Sequence, residues 1–488
     1  MTLDEYVMSF NKNDIEYIKT DITNNDCLMW MKNEIPLLEC SDPIIEKTYY
    51  FRWWVYRKHI KSTPEGYVVT EFLPEVPWSG KYNIINAPIG HHIMEGRWLK
   101  NADSYLNQYI NLIFKYPEEG LRYSTWMIWA AERLNDIKDC IEPVDFLKKS
   151  ISYYNKWEEL HKTDTELFWS LDDRDAMEFS ISGSPYGGTI PGLRPTLNSY
   201  MFGDASAIYR FSILAGNPRE EYLEKAEKIR QAMNKILWCD NFFKAIHPSN
   251  GDFSSIDKID MSSVPRELIG YIPWYFSIPN SGDEVFELLE NKTVFASKEG
   301  LTTVEQSAKG FMYDYKHECL WNGYVWPFAT SQVLTALMNV ISSSDDKRDK
   351  YSDMFFRLLS QYANQHTRIT ENGEKIMWID EVMSPYEKLW TSRDKLENWG
   401  WPIEKGGIER GKDYNHSTFC DIVISALSGI QIKNGDVTFN PIIPKTWEYF
   451  SLDNLYVRGN CYRIEYDKWG NRYAKVGLTI YKNGTIIN

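Results

Sequence analysis

Apolar residues recur at intervals of three and four positions over most of the chain, and this periodicity predicts helices from about Asp42 to Ile430. The first long helix has a clear start signal, because Ser41 and Asp42 are N-cap residues and Pro43 suits the first helical turn. About eleven helices are predicted in this way, with space for a twelfth between residues 283 and 308. Three of these predicted helices cover residues 86–99, 264–278 and 415–430.

Successive helices are joined alternately by short turns and by long loops. The long loops hold most of the glycine, proline and tryptophan, and they cover residues 170–195, 309–327 and 376–415. Long loops inside a compact domain are usually functional. A ring of paired helices with its long loops gathered at one end would produce this arrangement.

The pattern changes after Gln431, where apolar and polar residues alternate with a period of two and are interrupted by Gly and Asn turns. This alternation predicts a small antiparallel β region. We therefore expect two parts, a helical body over residues 1–430 that includes an N-terminal extension and a β-rich cap over residues 431–488.

The composition limits the partners that the protein could bind. The 488 residues carry a net charge of −14, which argues against nucleic acid and against anionic membrane surfaces. Aromatic residues make up 15% of the chain and include 19 Trp, an excess that suits stacking against sugars. No apolar run approaches the length of a membrane span, and the acidic N-terminus does not look like a signal peptide, so we expect a cytoplasmic protein.

Motifs for metals, cofactors and nucleophiles are missing from the sequence. The seven cysteines form no CxxC pair, which argues against a structural zinc site and against a disulfide framework. His91 and His92 are adjacent on a predicted helix, so their side chains project in different directions and cannot easily share a metal. We expect neither a metal nor an organic cofactor.

Carboxylates in aromatic loops remain as the candidate chemistry, and the first group lies in residues 169–205. There Glu178 is flanked by Met177 and Phe179, which could desolvate it and so raise its pKa, as a general acid requires. The alternative is a purely structural loop in which Asp175 caps a helix and Arg194 pairs with an acid.

The second group lies in residues 376–419, where Asp380 and Glu381 follow the apolar run Ile376–Ile379. Three tryptophans follow them, at positions 390, 399 and 401. A surface loop with buried Trp anchors is the structural alternative to a general base beside an aromatic wall. Two acids from distant parts of the chain, each near Trp-rich loops, are what a glycosidase needs.

Several segments resemble the mannosylglycerate-hydrolase-like glycoside hydrolases, which are related to glycoside hydrolase family 63 and to trehalases. RDAMEFSISG (174–183) followed by GLRPTLNSYMFGDA (192–205) is similar to their RxGME…RPxxNSYxYGDA stretch. WNGYVWP (321–327) resembles WxGPxWP, and EVMSP (381–385) resembles the ExxxP element that carries the base. YNHSTFCDIVISAL (414–427) resembles the helix that follows, and the resemblance extends over nearly the whole chain.

This resemblance implies an (alpha/alpha)6 toroid and an inverting mechanism. It places the general acid at Glu178, where many family 63 members have Asp, and the general base at Glu381, with the adjacent Asp380 left open as the base. Tyr324 replaces the proline of WxGPxWP, a departure that concerns a pocket wall. Predicted sugar contacts are the stacking residues Trp78, Trp321, Trp326 and Trp399 and the hydrogen-bonding residues Lys81, His92, Arg174, Arg194, Asn198, Asn415 and His416.

The sequence thus predicts an inverting exo-glycosidase that hydrolyses a small α-linked glycoside or the end of an oligosaccharide. A sugar epimerase or isomerase on the same kind of toroid is the first alternative, and there His91, His92 and His416 would transfer protons. A non-catalytic carbohydrate-binding protein is the second alternative, and a uronic acid lyase is a weaker one. The sugar, its linkage and the oligomeric state are left open by the sequence.

Overall fold

The computed structural model describes residues 1–183, 190–248, 251–433 and 435–487. The α-helices are α1 (Leu3–Lys12), α2 (Asn24–Glu34), α3 (Pro43–His59), α4 (Ile89–Gly96), α5 (Ala102–Lys115), α6 (Pro117–Gly120), α7 (Met127–Lys138), α8 (Pro143–His161), α9 (Pro195–Leu214), α10 (Glu220–Ile236), α11 (Ile272–Tyr275), α12 (Pro327–Ser343), α13 (Asp345–Gln365), α14 (Thr391–Asn398) and α15 (Cys420–Ser428).

Six of these helices form a closed inner ring. In the order α4, α7, α9, α11, α12 and α15, each packs against the next, and α15 returns to α4. Around them lie α3, α5, α8, α10 and α13, together with a 3-10 helix over Asp283–Glu290 that lies where a twelfth helix is expected. The predicted (alpha/alpha)6 toroid is therefore confirmed.

The burial patterns of the helices explain which ring each one joins. In α10 the buried residues are Tyr222, Ala226, Ile229 and Met233, a single stripe that suits an outer helix with one face in water. In α12 nearly every residue is buried, as expected for an inner helix with neighbours on all sides.

Two predicted helices differ from those observed. The helix predicted over residues 264–278 is a 3-10 turn (Leu268–Tyr271) followed by the single turn of α11, whose Pro273 lacks an amide hydrogen and disfavours a longer helix. The helix predicted over residues 415–430 begins only at Cys420. Its first free amides are taken by the buried Glu95 carboxylate, which accepts from residues 419, 420 and 421.

The start of α3 agrees with its sequence signal, because the Asp42 side chain accepts from the backbone N–H groups of residues 44 and 45. Helices α1 and α2 pack against α3. A buried Lys58 ties this N-terminal segment to the body, with its Nζ 2.6 Å from the Asp14 carboxylate and 2.7 Å from that of Asp413.

The strands are short except near the C-terminus. They are β1 (Leu37–Cys40), β2 (Ile60–Thr63), β3 (Gly66–Val69), β4 (Trp169–Ser170), β5 (Gly192–Leu193), β6 (Trp238–Cys239), β7 (Phe242–Phe243), β8 (Thr367–Ile369), β9 (Lys375–Met377), β10 (Ile430–Lys433), β11 (Asp436–Phe439), β12 (Tyr449–Val457), β13 (Asn460–Asp467), β14 (Gly477–Lys482) and β15 (Thr485–Ile486).

The C-terminal strands form an antiparallel sheet that also includes an N-terminal strand. Its order is β1-β12-β13-β14-β15, and Leu38 lies opposite Leu452 where β1 pairs with β12. The sheet packs on the helical body through contacts of β12 with α7 and α15. The division of the chain into two domains at residue 430 stays a prediction. No helix of the described ranges is long and apolar enough to cross a bilayer.

Candidate active site

A cavity lies where the loops that precede five inner helices meet. All three long loops predicted from the sequence contribute to it, together with the segments before α4 and α7. The lining residues are Glu71, Phe72, Trp78, Ile85, Ala87, Tyr123, Ala176, Glu178, Cys319, Trp326, Glu381, Arg410, Tyr414 and His416. Three carboxylates, one guanidinium and one imidazole thus share a small space walled by aromatic rings.

Glu178 enters the cavity from a tight loop. The backbone on either side is left-handed, with φ of 57° at Ala176 and 62° at Phe179, conformations that non-glycine residues adopt at a cost. The Glu178 carbonyl accepts from the Trp321 amide at 3.1 Å, which joins two of the long loops. Residues 184–189, which continue the first of the two acidic stretches, lie outside the described residues.

The environment of Glu178 favours its protonated form. Burial raises the pKa of the carboxyl to about 8, its own backbone N–H opposes this, and the negative charge of Glu381 adds to the rise. The side chain is partly accessible through the cavity, so it can reach a ligand there. A carboxyl that keeps its proton at neutral pH is suited to act as a general acid.

Glu381 lies in the same cavity but has a different set of partners. Arg410 donates through Nη2 to its Oε2, and the Cys319 thiol donates to its Oε1 at 3.3 Å. Burial raises the pKa of Glu381 to about 7, while Arg410 opposes the rise. Arg410 therefore favours the ionised carboxylate that a general base needs.

The neighbouring Asp380 points away from the cavity. Its Oδ1 accepts from the Glu381 amide at 2.9 Å, and its Oδ2 lies 3.8 Å from Arg393 and 3.4 Å from Trp378 Nε1. It is not among the lining residues of the cavity. Of the two adjacent acids left open by the sequence, Glu381 is the one that faces the space shared with Glu178.

Two of the four predicted stacking residues line the cavity. Trp78 meets Phe72 edge-on at 5.6 Å between ring centroids, and the Arg410 guanidinium lies 5.4 Å from the centroid of each of these rings. Trp326 lines the cavity with Trp321 stacked against it at 4.3 Å, so Trp321 supports the wall rather than forming it. Trp399 is 41% exposed and lies outside the cavity.

Of the predicted hydrogen-bonding residues, His416 alone lines the cavity, and three others are buried behind it. His92 is held between the Asn415 carbonyl and the Tyr109 hydroxyl. Arg194 donates to Asp175 at 2.6 Å, which is the structural alternative considered for this pair. The Asn198 side chain accepts from the Phe168 amide at 2.7 Å and donates to the Phe168 carbonyl at 2.9 Å.

The remaining three predicted contacts also lie away from the cavity. The Asn415 side chain donates to the Thr70 carbonyl at 3.2 Å and so joins two backbone segments. Lys81 is exposed and pairs with Glu65 at 2.6 Å. Arg174 is exposed and lies over the Tyr123 ring, 5.8 Å from its centroid. A sugar contact through these side chains stays a prediction without support from the cavity lining.

Sequence reasoning missed several cavity residues, namely Glu71, Phe72, Tyr123, Cys319, Arg410 and Tyr414. Arg410 lies in residues 376–419, so a search of that stretch for a cation to partner Glu381 would have found it. Glu71 follows β3 in a segment with no recognisable motif, and it reaches the site only because that segment lies beside residues 414–416.

One cluster in the described ranges has the ligand types of a metal site. His317, Glu318 and Cys319 bring their ligand atoms within 4.8 Å of one another. Two cations already occupy this neighbourhood. Lys405 Nζ lies 3.0 Å from Glu318 and 3.1 Å from His317 Nε2, and Arg410 Nη1 lies 3.8 Å from Glu318. The positive charges of Lys405 and the adjacent Arg410 oppose binding of a metal cation there.

The profile of the mannosylglycerate hydrolase MGH1-like glycoside hydrolase domain matches residues 81–417. The chain belongs to this family. A second profile, the C-terminal domain of glycosyl hydrolase family 65, matches residues 430–485. The cavity with Glu178 and Glu381 lies within the first of these matches, except for the segment at residues 71–78. No curated protein matches the chain.

The chain is also similar to solved structures of other proteins, two of which are larger than this chain. A protein described as a sialidase is 33% identical with a TM-score of 0.85; the match covers 100% of this chain and 44% of that one. An alpha-L-rhamnosidase of Streptomyces avermitilis, complexed with L-rhamnose, is 13% identical with a TM-score of 0.55, over 93% of this chain and 38% of that one. The GH63 mannosylglycerate hydrolase of Thermus thermophilus, in complex with glucose, is 10% identical with a TM-score of 0.50, over 78% of this chain and 99% of that one.

The chain therefore spans less than half the length of the sialidase and rhamnosidase proteins that it matches. The likenesses at 13% and 10% identity support the fold alone.

Proposed function

We propose that this protein is an inverting exo-glycosidase that hydrolyses a small α-linked glycoside or the end of an oligosaccharide. The observation that carries the proposal is the presence of two carboxylates with opposite surroundings in one aromatic-walled cavity. Glu178 is desolvated with no cation against its carboxyl among the described residues, whereas Glu381 is paired with Arg410. Acid and base roles follow from that difference.

In the proposed mechanism Glu178 protonates the glycosidic oxygen as the bond to the anomeric carbon breaks. Glu381 removes a proton from a water molecule that attacks the opposite face of the sugar, which inverts the anomeric configuration. Arg410 donates a hydrogen bond to Glu381 and so favours its ionised form before the reaction. Trp78 and Trp326 offer flat surfaces for the apolar faces of the sugar.

The substrate class is inferred from the family to which the chain belongs. Family membership supports a glycosidic substrate, and the α-linkage follows from the resemblance of the motifs around Glu178 and Glu381. The sialidase and rhamnosidase names leave the choice of sugar open, since this chain corresponds to less than half of those proteins.

A screen of nitrophenyl glycosides, with the first-formed anomer followed by proton NMR, tests the proposal. An α-glycoside should give the β-anomer first, and a first-formed α-anomer would refute inversion. Glu381→Ala should lose turnover and, when azide is added, form the β-glycosyl azide, because azide fits the space of the water and needs no base. The Glu178→Gln variant should keep binding but lose turnover on substrates with poor leaving groups.

A labelling experiment separates the alternative functions. In heavy-oxygen water a hydrolase incorporates the label into its product, whereas an epimerase need not. Of the three histidines that an epimerase could use, His92 is held by two protein partners and His91 is enclosed by Trp126 and Phe328, which leaves His416 in the cavity. Saturable binding without turnover of any glycoside would indicate a carbohydrate-binding protein.

A further inference from the structure

His416 is placed in the cavity with one ring nitrogen bound and the other without a partner. Its Nδ1 lies 2.5 Å from the Glu71 carboxylate and also contacts the Tyr414 hydroxyl. Its Nε2 is buried and has no hydrogen-bond partner among the described residues. The residue is 3% exposed, and it lines the cavity that also holds Glu178 and Glu381.

The backbone around His416 holds the ring in place. The Asn415 amide donates to the Glu71 carbonyl at 3.2 Å, and the Asn415 carbonyl accepts from the His92 ring at 2.7 Å. The edge of Phe328 packs against the His416 ring at 4.5 Å between centroids and a 90° interplanar angle. A ring fixed on these sides cannot turn to exchange its two nitrogens without breaking several contacts.

The contacts at Nδ1 determine which nitrogen carries the hydrogen. The Tyr414 hydroxyl donates to Glu71 at 3.0 Å, so its oxygen is free to accept from the ring. An unprotonated Nδ1 would direct its lone pair at the Glu71 carboxylate from 2.5 Å, which is repulsive. With the hydrogen on Nδ1, both the carboxylate and the tyrosine oxygen accept from it, and the lone pair of neutral histidine is left on Nε2.

We propose that Glu71 and Tyr414 fix His416 as the Nδ1-protonated tautomer, so that Nε2 accepts a hydrogen bond from one hydroxyl of the bound sugar. This inference rests on the proposed function and adds a specificity rule to it. A sugar that presents a hydroxyl to Nε2 satisfies a buried acceptor, whereas one that lacks the hydroxyl leaves that acceptor unpaired. His416 is then a specificity-determining residue, and Glu71 is a positioning residue that acts through it.

The first test combines substrate and protein changes. The nitrophenyl glycoside that turns over fastest is compared with its monodeoxy analogues in the native protein and in the His416→Ala variant. We expect one analogue to lose roughly 10- to 100-fold in kcat/KM with the native protein and less than about 3-fold with the variant. His416→Gln, which retains an acceptor oxygen, should restore part of that discrimination. Equal losses in native protein and variant for every analogue would overturn the inference.

The second test needs no substrate. Nitrogen-15 NMR of histidine-labelled protein, with the resonances assigned by the loss of a signal in His416→Ala, reports which ring nitrogen carries the hydrogen. We expect the hydrogen on Nδ1 and a bare Nε2, and Tyr414→Phe should weaken but not remove this preference. A protonated Nε2 would refute the acceptor role.

The outcomes also separate this inference from the proposed function. If no glycoside is turned over, the proposed function fails and the recognition of a sugar hydroxyl fails with it. If a glycoside is turned over without any coupling between its hydroxyls and His416, only the present inference is wrong.

Discussion

Replacing Arg410 with Met tests the division of roles between the two carboxylates. Arg410 is fully buried and donates to Glu381, the carboxylate that must be ionised to act as a base. The pKa of Glu381 stands at about 7 with this cation in place. Removing the positive charge takes away the largest effect that opposes burial, so the pKa of Glu381 should rise further and its carboxyl should be protonated at neutral pH.

The size of the effect follows from Coulomb's law. Two unit charges about 4 Å apart interact by about 4 kcal/mol at an effective dielectric constant of about 20. That energy corresponds to roughly three units in the pKa of Glu381. The ionised fraction of Glu381 at about pH 7.5 should then fall by roughly two orders of magnitude, and kcat/KM should fall with it.

The assay is kcat/KM against pH on one nitrophenyl glycoside. The native protein should show a bell with its acidic limb near the pKa of Glu381, about 7, and its basic limb near that of Glu178, about 8. In Arg410→Met the acidic limb should move to higher pH, and Arg410→Lys should move it less.

Arg393→Met is the matched control, because this buried arginine pairs with Glu409 and lies beside Asp380. It should lower the melting temperature without moving the limb. An acidic limb that stays in place in Arg410→Met would refute the assignment of Glu381 as the base.

Three further changes have definite expected outcomes. Because burial raises the pKa of Glu178 above its unfolded value, its ionisation destabilises the fold as pH rises from about 4.5 towards 8. Glu178→Gln should therefore have a higher melting temperature than the native protein at about pH 8.5 and the same melting temperature at about pH 4. If the two proteins have equal melting temperatures at both pH values, the raised pKa of Glu178 is contradicted. Cys319→Ala removes a thiol donor from Glu381 and should move the acidic limb upwards by less than about one unit, whereas no movement would exclude that hydrogen bond. A Cβ added at Gly90 would clash with the Trp126 ring. Gly90→Ala should therefore lower the free energy of unfolding, measured in urea, by about 1–3 kcal/mol. An unchanged urea midpoint would show that the ring can move aside.

The helical body and the two acids were accessible to sequence reasoning because their signals are local. Amphipathic periodicity and the Asp42 cap predict helices, and the apolar neighbours of Glu178 together with the motif around it indicate a desolvated carboxyl. One prediction failed because a distant residue had intervened. The helix predicted from residue 415 starts at Cys420 because Glu95, 325 positions away, binds its first amides.

The sequence by itself determined the ring of paired helices, the family and which two acids are the candidates, since each depends on neighbours within a few positions. Tertiary structure alone decided which side chains surround those acids. Glu71 meets Tyr414 across 343 positions, and Arg410 meets Glu381 across 29, while Asp380, adjacent to Glu381, is turned towards Arg393. The charge state of a buried group depends on what folding brings within a few ångströms of it, and sequence spacing carries no information about that distance.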